Sequence, residues 1–159
     1  MRTLWFEQDP SRLQREIAAF MSLGIECIVD EPLKAQGLLR LTLKMEGSNP
    51  AFDLPDKRRT YELKVVFPDS YPWFRPEVYT FDFNLPRHQH PGLGNLCLLP
   101  RGTQHWDPTK TVAALLQSQL GLVLEKGAVT DTETVKADTS EQAEPDAEYF
   151  TVYTQAPVL

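Results

Sequence analysis

Apolar residues recur along this chain with two different periods, and the changes of period mark its elements. Residues 9–24, DPSRLQREIAAFMSLG, set Leu13, Ile17, Phe20 and Met21 at helical spacing. Asp9 stands as N-cap, Pro10 in the first turn and Gly24 as the stop, so a capped helix is predicted whose apolar face packs on a sheet. Three strand-like runs follow, IECIVD, GLLRLTLKM and TYELKVVF, and in the second Leu39, Leu41, Leu43 and Met45 alternate with Arg40, Thr42 and Lys44. EGSNPAFDLPDKRR is a polar, proline-bearing connector, and PDSYPWFRP interrupts the pattern before EVYTFDF resumes it. Four strands in an antiparallel meander are expected. Beyond a histidine-rich segment, DPTKTVAALLQSQLGLVLEK predicts a second helix, with Pro108 early and Val112, Leu115, Leu116, Gln119 and Leu122 at helical spacing. The order helix, four strands, loop, helix defines an α/β (α+β) fold.

Length and charge sharpen the outline. A chain of 159 residues with 42% hydrophobic content fills one core and is short for two domains. The net charge of −6 sits at the C-terminal end: from Glu125 onward there are eight acidic residues and two lysines, which leaves fourteen of each sign before it. Residues 1–128 therefore form the expected domain and 129–159 an acidic, partly flexible tail, poor in large apolar side chains. A neutral body without a basic stripe speaks against a nucleic-acid binder. No run approaches the roughly 20 apolar residues of a membrane span, and MRTLWFEQDPSR lacks the basic region and apolar run of a secretion signal. The expectation is a cytoplasmic protein in which Cys27 and Cys97 are free thiols.

Candidate chemistry concentrates in residues 87–108, RHQHPGLGNLCLLPRGTQHWDP, which hold all three histidines and Cys97. Between Leu96 and Leu98, Cys97 is either a small buried apolar residue or a nucleophile. Sulfur suits an acyl carrier because it attacks one thioester and later leaves from another, whereas serine would trap the acyl group as an ester. Asn95 lies two residues before it, on the same side of an extended segment, and is either an oxyanion donor or a turn residue. His90 either orders the loop or tunes the thiolate. His88 and His105 read as surface histidines. A zinc site from His88, His90, Cys97 and His105 has suitable ligand types without the spacing of a structural zinc site, so no metal is expected. A Cys-His hydrolase would need an imidazole on the sulfur and an acid behind it.

These motifs in this order resemble the ubiquitin-conjugating enzymes. YELKVVFPDSYPWFRPEV is similar to that family's third strand, Tyr-Pro turn and fourth strand; His90 and Pro91 match its His-Pro, and Cys97 and Leu98 its Cys-Leu. Trp106, Pro108 and a helix follow as in the family, and the resemblance spans roughly residues 9–126. It departs where the family's His-Pro-Asn continues here as His-Pro-Gly, with Gly92 in place of the asparagine, and where the two further C-terminal helices are not evident. The compact core, altered His-Pro loop and acidic tail resemble bacterial relatives from anti-phage operons, including CBASS and bacterial ubiquitination-like systems.

The resemblance implies a carrier that takes a ubiquitin-like modifier, or the C-terminus of a cGAS-like nucleotidyltransferase, from an activating enzyme as a Cys97 thioester and passes it to an amine on an acceptor protein. Asn95 and His90 are the expected companions of Cys97. No cofactor is implied, because no ATP-binding glycine motif is present and adenylation would occur on the activating enzyme. Arg12 and Arg15 on the first helix are either that enzyme's docking site or a solvated polar face. Trp73 and Phe74 either cap the core or form a partner-binding patch, with one of them expected in the core. Trp106 is expected beneath the active-site loop. The rival function is a non-catalytic RWD-type interaction module on the same fold, against which Cys97 in register speaks.

Overall fold

A computed structural model describes residues 3–85, 88–90, 92–99 and 105–127. Pro91 and the proposed tail 129–159 lie outside the described residues. The elements run α1 (Trp5–Gln8), α2 (Pro10–Ser22), β1 (Glu26–Val29), α3 (Glu31–Ala35), β2 (Leu39–Glu46), β3 (Thr60–Phe67), β4 (Glu77–Tyr79) and α4 (Val112–Gly127). The sheet is the expected antiparallel meander, in the order β1-β2-β3-β4.

Alternation in β2 translates directly into layers: Leu39, Leu41, Leu43 and Met45 are buried, and their register partners Phe67, Val65, Leu63 and Tyr61 on β3 join them in the core. Removing one of these leucines to Ala typically costs about 2–5 kcal/mol. Asp9 caps α2 by accepting from Arg12 N, and Gly24 takes the left-handed conformation after its end, with φ 76°. The buried face of α2 is Arg12, Leu13, Glu16 and Phe20, not the stripe through Met21, which is 64% exposed. Glu16 explains the difference: its buried carboxylate rotates the inward face toward Arg12 and away from Met21.

Three further corrections have local causes. Asp30 and Pro32 start a short helix that the apolar pattern does not show: the Asp30 carboxylate accepts from Leu33 N at 3.1 Å. The fourth strand ends at Tyr79, not Phe83, because side chains then replace the ladder. Thr80 Oγ1 donates to Glu62 O at 2.6 Å, and Asp82 Oδ2 accepts from Glu62 N at 2.6 Å. The last helix starts at Val112, behind a Thr111 cap, and buries Val112, Ala113, Leu116, Leu120 and Val123 while Leu122 is exposed.

One polar cluster ties α2, the Tyr-Pro turn and the start of α4 together. Tyr71 donates to Glu16 Oε1, Arg12 Nη2 donates to Tyr71 Oη at 2.8 Å, and Val112 N donates to Glu16 Oε2 at 3.1 Å. Arg12 also reaches Pro108 O and Lys110 O, each at 2.6 Å. Burial raises the Glu16 carboxyl above its ordinary range. Arg12 is thus a buried tie and offers no docking surface; Arg15 is exposed, with Nη2 on Thr109 O at 2.5 Å.

Candidate active site

Beyond β4 the chain returns alongside it. Thr80 N donates to Gly94 O at 3.0 Å and Leu96 N to Val78 O at 2.7 Å, with Tyr79 and Asn95 as an antiparallel bridge pair. On the far side of the segment, Gln89 bridges Leu96 and Cys97 N donates to His88 O at 2.8 Å. Cys97 is therefore held by backbone bonds between β4 and the histidine segment.

The turn that delivers it depends on glycine and histidine. Gly94 has φ 77°, and a Cβ there would lie 2.9 Å from Thr80 O, so only glycine fits without a shift. His90 N donates to Asn95 O at 2.9 Å, and its ring Nδ1 accepts from Gly92 N and Leu93 N, both at 3.3 Å. An accepting Nδ1 leaves the ring proton on Nε2. The imidazole is thus engaged by the turn's own amides. Gly92 faces open space, with nothing within 4 Å of a Cβ built on it.

Asn95 and Cys97 come together around two residues absent from the sequence expectation, Arg75 and Glu77. These four side chains line one small cavity, closed by Leu98, Leu99 and Leu115. Asn95 Nδ2 donates to Glu77 Oε2 at 3.4 Å, and Arg75 Nη1 donates to Leu99 O at 3.2 Å. All four residues are buried, and Asn95 Oδ1 has no hydrogen-bond partner among the described residues. The sequence signal was there: RPEV puts an arginine and a glutamate at the head of an apolar strand, where a charge needs a partner.

The structure buries the Cys97 thiol. Cys97 is 5% exposed, and burial, with the Glu77 charge beside it, pushes its thiol up to about 12. In this arrangement Cys97 is a protonated, covered sulfur. Cys27, half-buried on β1, is pushed up to about 11, again by burial first.

The other histidines divide. His105 is exposed as expected, whereas His88 is buried at 2%, because its carbonyl must meet Cys97 N and this draws its residue under the chain. Among the described residues no group of three His, Cys, Asp or Glu is disposed to hold a metal ion. Trp106 is buried, donates Nε1–H to Pro72 O at 2.7 Å and lies 6.2 Å from the Tyr71 ring. Trp73 is exposed and Phe74 half-buried. No helix among the described residues is long and apolar enough to cross a membrane.

A four-stranded antiparallel meander, flanked by helices and followed by a looped cysteine segment, has the architecture of an E2-like, ubiquitin-conjugating-type domain. Residues 36–158 match prokaryotic E2 family B, and the chain belongs to that family. It is also 37% identical over 110 residues to the uncharacterized protein y4qC of Sinorhizobium fredii, covering 68% of this chain. A second relative from the same organism, the uncharacterized protein y4oA, is 30% identical over 121 residues, covering 76%. The chain spans only 18% and 19% of the length of these two relatives.

Proposed function

We propose that this chain is an acyl-carrier domain in which Cys97 accepts a protein C-terminus from an activating enzyme and transfers it to an amine. The observation that carries the reading is the placement of Cys97 in a prokaryotic E2 family B chain, on the segment after β4, with Asn95 on the same face of one buried cluster. In loading, the Cys97 thiolate attacks the activating enzyme's thioester and expels that enzyme's thiolate. In discharge, the acceptor amine attacks the Cys97 thioester and the C–S bond breaks; the proton shed by nitrogen is the one the released sulfur takes up. Because Cys97 is buried at rest, loading requires the surroundings of the sulfur to open. The cargo is a ubiquitin-like protein or the C-terminus of a cGAS-like nucleotidyltransferase, and the setting is bacterial anti-phage defence in the cytoplasm. In this reading residues 129–159 are an appendage to the catalytic body.

A second reading has an observation of its own. The burial of Cys97 favours a non-catalytic interaction module on the same fold. Loading separates the two. With ATP and the activating enzyme and modifier from neighbouring genes, the full chain should form a reductant-sensitive adduct. Cys97→Ser should give a reductant-resistant ester or none, and Cys27→Ser should load normally. No adduct on the wild type would leave the interaction module, and a reductant-sensitive adduct on Cys97→Ser would show that another nucleophile carries the acyl group.

A further inference from the structure

We propose that Glu77 is a positioning residue: its buried carboxylate fixes the Asn95 carboxamide with the N–H end toward Cys97, ready for the oxyanion of thioester aminolysis. The inference rests on the carrier reading of Cys97 and adds a residue that neither motif nor resemblance supplies.

Register is the first argument. Tyr79 and Asn95 are antiparallel partners, so extending the pairing by two residues sets Glu77 opposite Cys97, and by four sets Arg75 opposite Leu99. The hydrogen bond from Arg75 to Leu99 O fits that extension. Side chains two apart on an extended chain share a face, and directly opposed ones lie within reach of each other. Glu77, Asn95 and Cys97 thus form one cluster on one face.

Hydrogen-bond chemistry is the second. An ionised carboxylate only accepts, so it selects the amide's nitrogen end and turns Oδ1 away. The result is visible in Asn95, whose Nδ2 meets Glu77 Oε2 while its buried Oδ1 has no partner among the described residues. A purely structural asparagine would be expected to satisfy both ends. One N–H of the NH2 group is spent on Glu77, and the second remains to donate to a tetrahedral oxyanion on Cys97. Burial first, and then the Glu77 charge against the opposing Arg75 guanidinium, keeps the resting Cys97 sulfur protonated and favours its reprotonation after release.

The test is a double-mutant cycle on discharge of the loaded full chain to a free amine, with loading scored separately. Asn95→Ala should slow discharge by ~10- to 1000-fold, the scale for one lost oxyanion donor. Glu77→Ala should slow it by ~10- to 100-fold, the scale for losing an orienting partner. The double variant should be no slower than Asn95→Ala by more than about twofold, because Glu77 acts through Asn95. Glu77→Gln, nearly isosteric, guards against a folding defect in Glu77→Ala and should lower the pH at which Cys97 is alkylated, a shift that Asn95→Ala should not produce. Multiplicative slowing in the double variant, or an unchanged alkylation profile in Glu77→Gln, would overturn the assignment while leaving the carrier reading intact. A wild type that never loads would remove the carrier reading itself, and the positioning role with it.

Discussion

The domain buries an arginine and a glutamate in each of two polar clusters, and the clusters are built differently. In the Arg12–Glu16–Tyr71 cluster both carboxylate oxygens accept hydrogen bonds and both terminal nitrogens of Arg12 donate them, while Arg12 Nε has no partner among the described residues. Around Cys97, the bond from Asn95 to Glu77 is long at 3.4 Å and Asn95 Oδ1 is unmatched among the described residues. The first cluster binds α2, the Tyr-Pro turn and the approach to α4 into one body. The second keeps a polar group in reserve beside a sulfur. Each cluster leaves one buried polar atom without a partner among the described residues, but in the first it belongs to a side chain already held by several bonds, and in the second it is the whole accepting end of the Asn95 carboxamide.

Stability should separate them most strongly. Arg12→Ala leaves Glu16 buried without its cation and frees two carbonyls, so it should destabilise the fold by about 3–5 kcal/mol in urea unfolding. Asn95→Ala removes one long bond and one unmatched acceptor and should cost about 1 kcal/mol. Equal losses would erase the distinction.

The thiols give a pH test of the second cluster. Alkylation proceeds through the thiolate. With Cys97 held up to about 12, against an ordinary value of 9.0, its thiolate fraction near neutral pH should be about a thousandfold below that of a free thiol. Its alkylation rate should climb about tenfold per pH unit through pH 7 to 11 without a plateau, and Cys27, held up to about 11, should react first by about tenfold. A plateau below pH 9 would show that Cys97 is already open and poised, and that the loose cluster does not restrain it.

The contrast also explains what could be read from sequence. The meander was legible because burial in β2 follows strict alternation, and the α2 cap because Asp9-Pro10 and Gly24 act locally. Met21 and Leu122 were misassigned to buried faces because helical spacing sees only apolar residues, and on α2 a buried Glu16 turned the face. Cys97 and Asn95 stood out by chemistry, two residues apart. Glu77 and Arg75 did not, since what makes them part of the cluster is a pairing between β4 and a segment almost twenty residues later. For the same reason Arg12 read as a surface residue, for docking or merely solvated: its carbonyl partners lie 96 and 98 residues away.

The smallest expected effect bears on the donor in the loose cluster. In the wider ubiquitin-conjugating family the asparagine follows His-Pro, at the place of Gly92, whereas here Asn95 is the buried amide beside Cys97. Gly92 has open space where a Cβ would stand, so Gly92→Asn should be accepted without a clash. Gly94 could not serve as the comparison, because its φ of 77° and the nearby Thr80 carbonyl exclude a side chain. If Asn95 supplies the oxyanion donor, an amide restored at 92 should take over part of its task. Gly92→Asn should then raise discharge of Asn95→Ala by about tenfold, the lower end for one donor. In the wild-type background, where the donor is already in place, it should change discharge by less than about threefold, with loading equal in all four proteins. Rescue would tie the incomplete cluster to oxyanion stabilisation. Failure to rescue, with loading intact, would return Asn95 to the turn it closes with His90 and make its unmatched oxygen a packing defect.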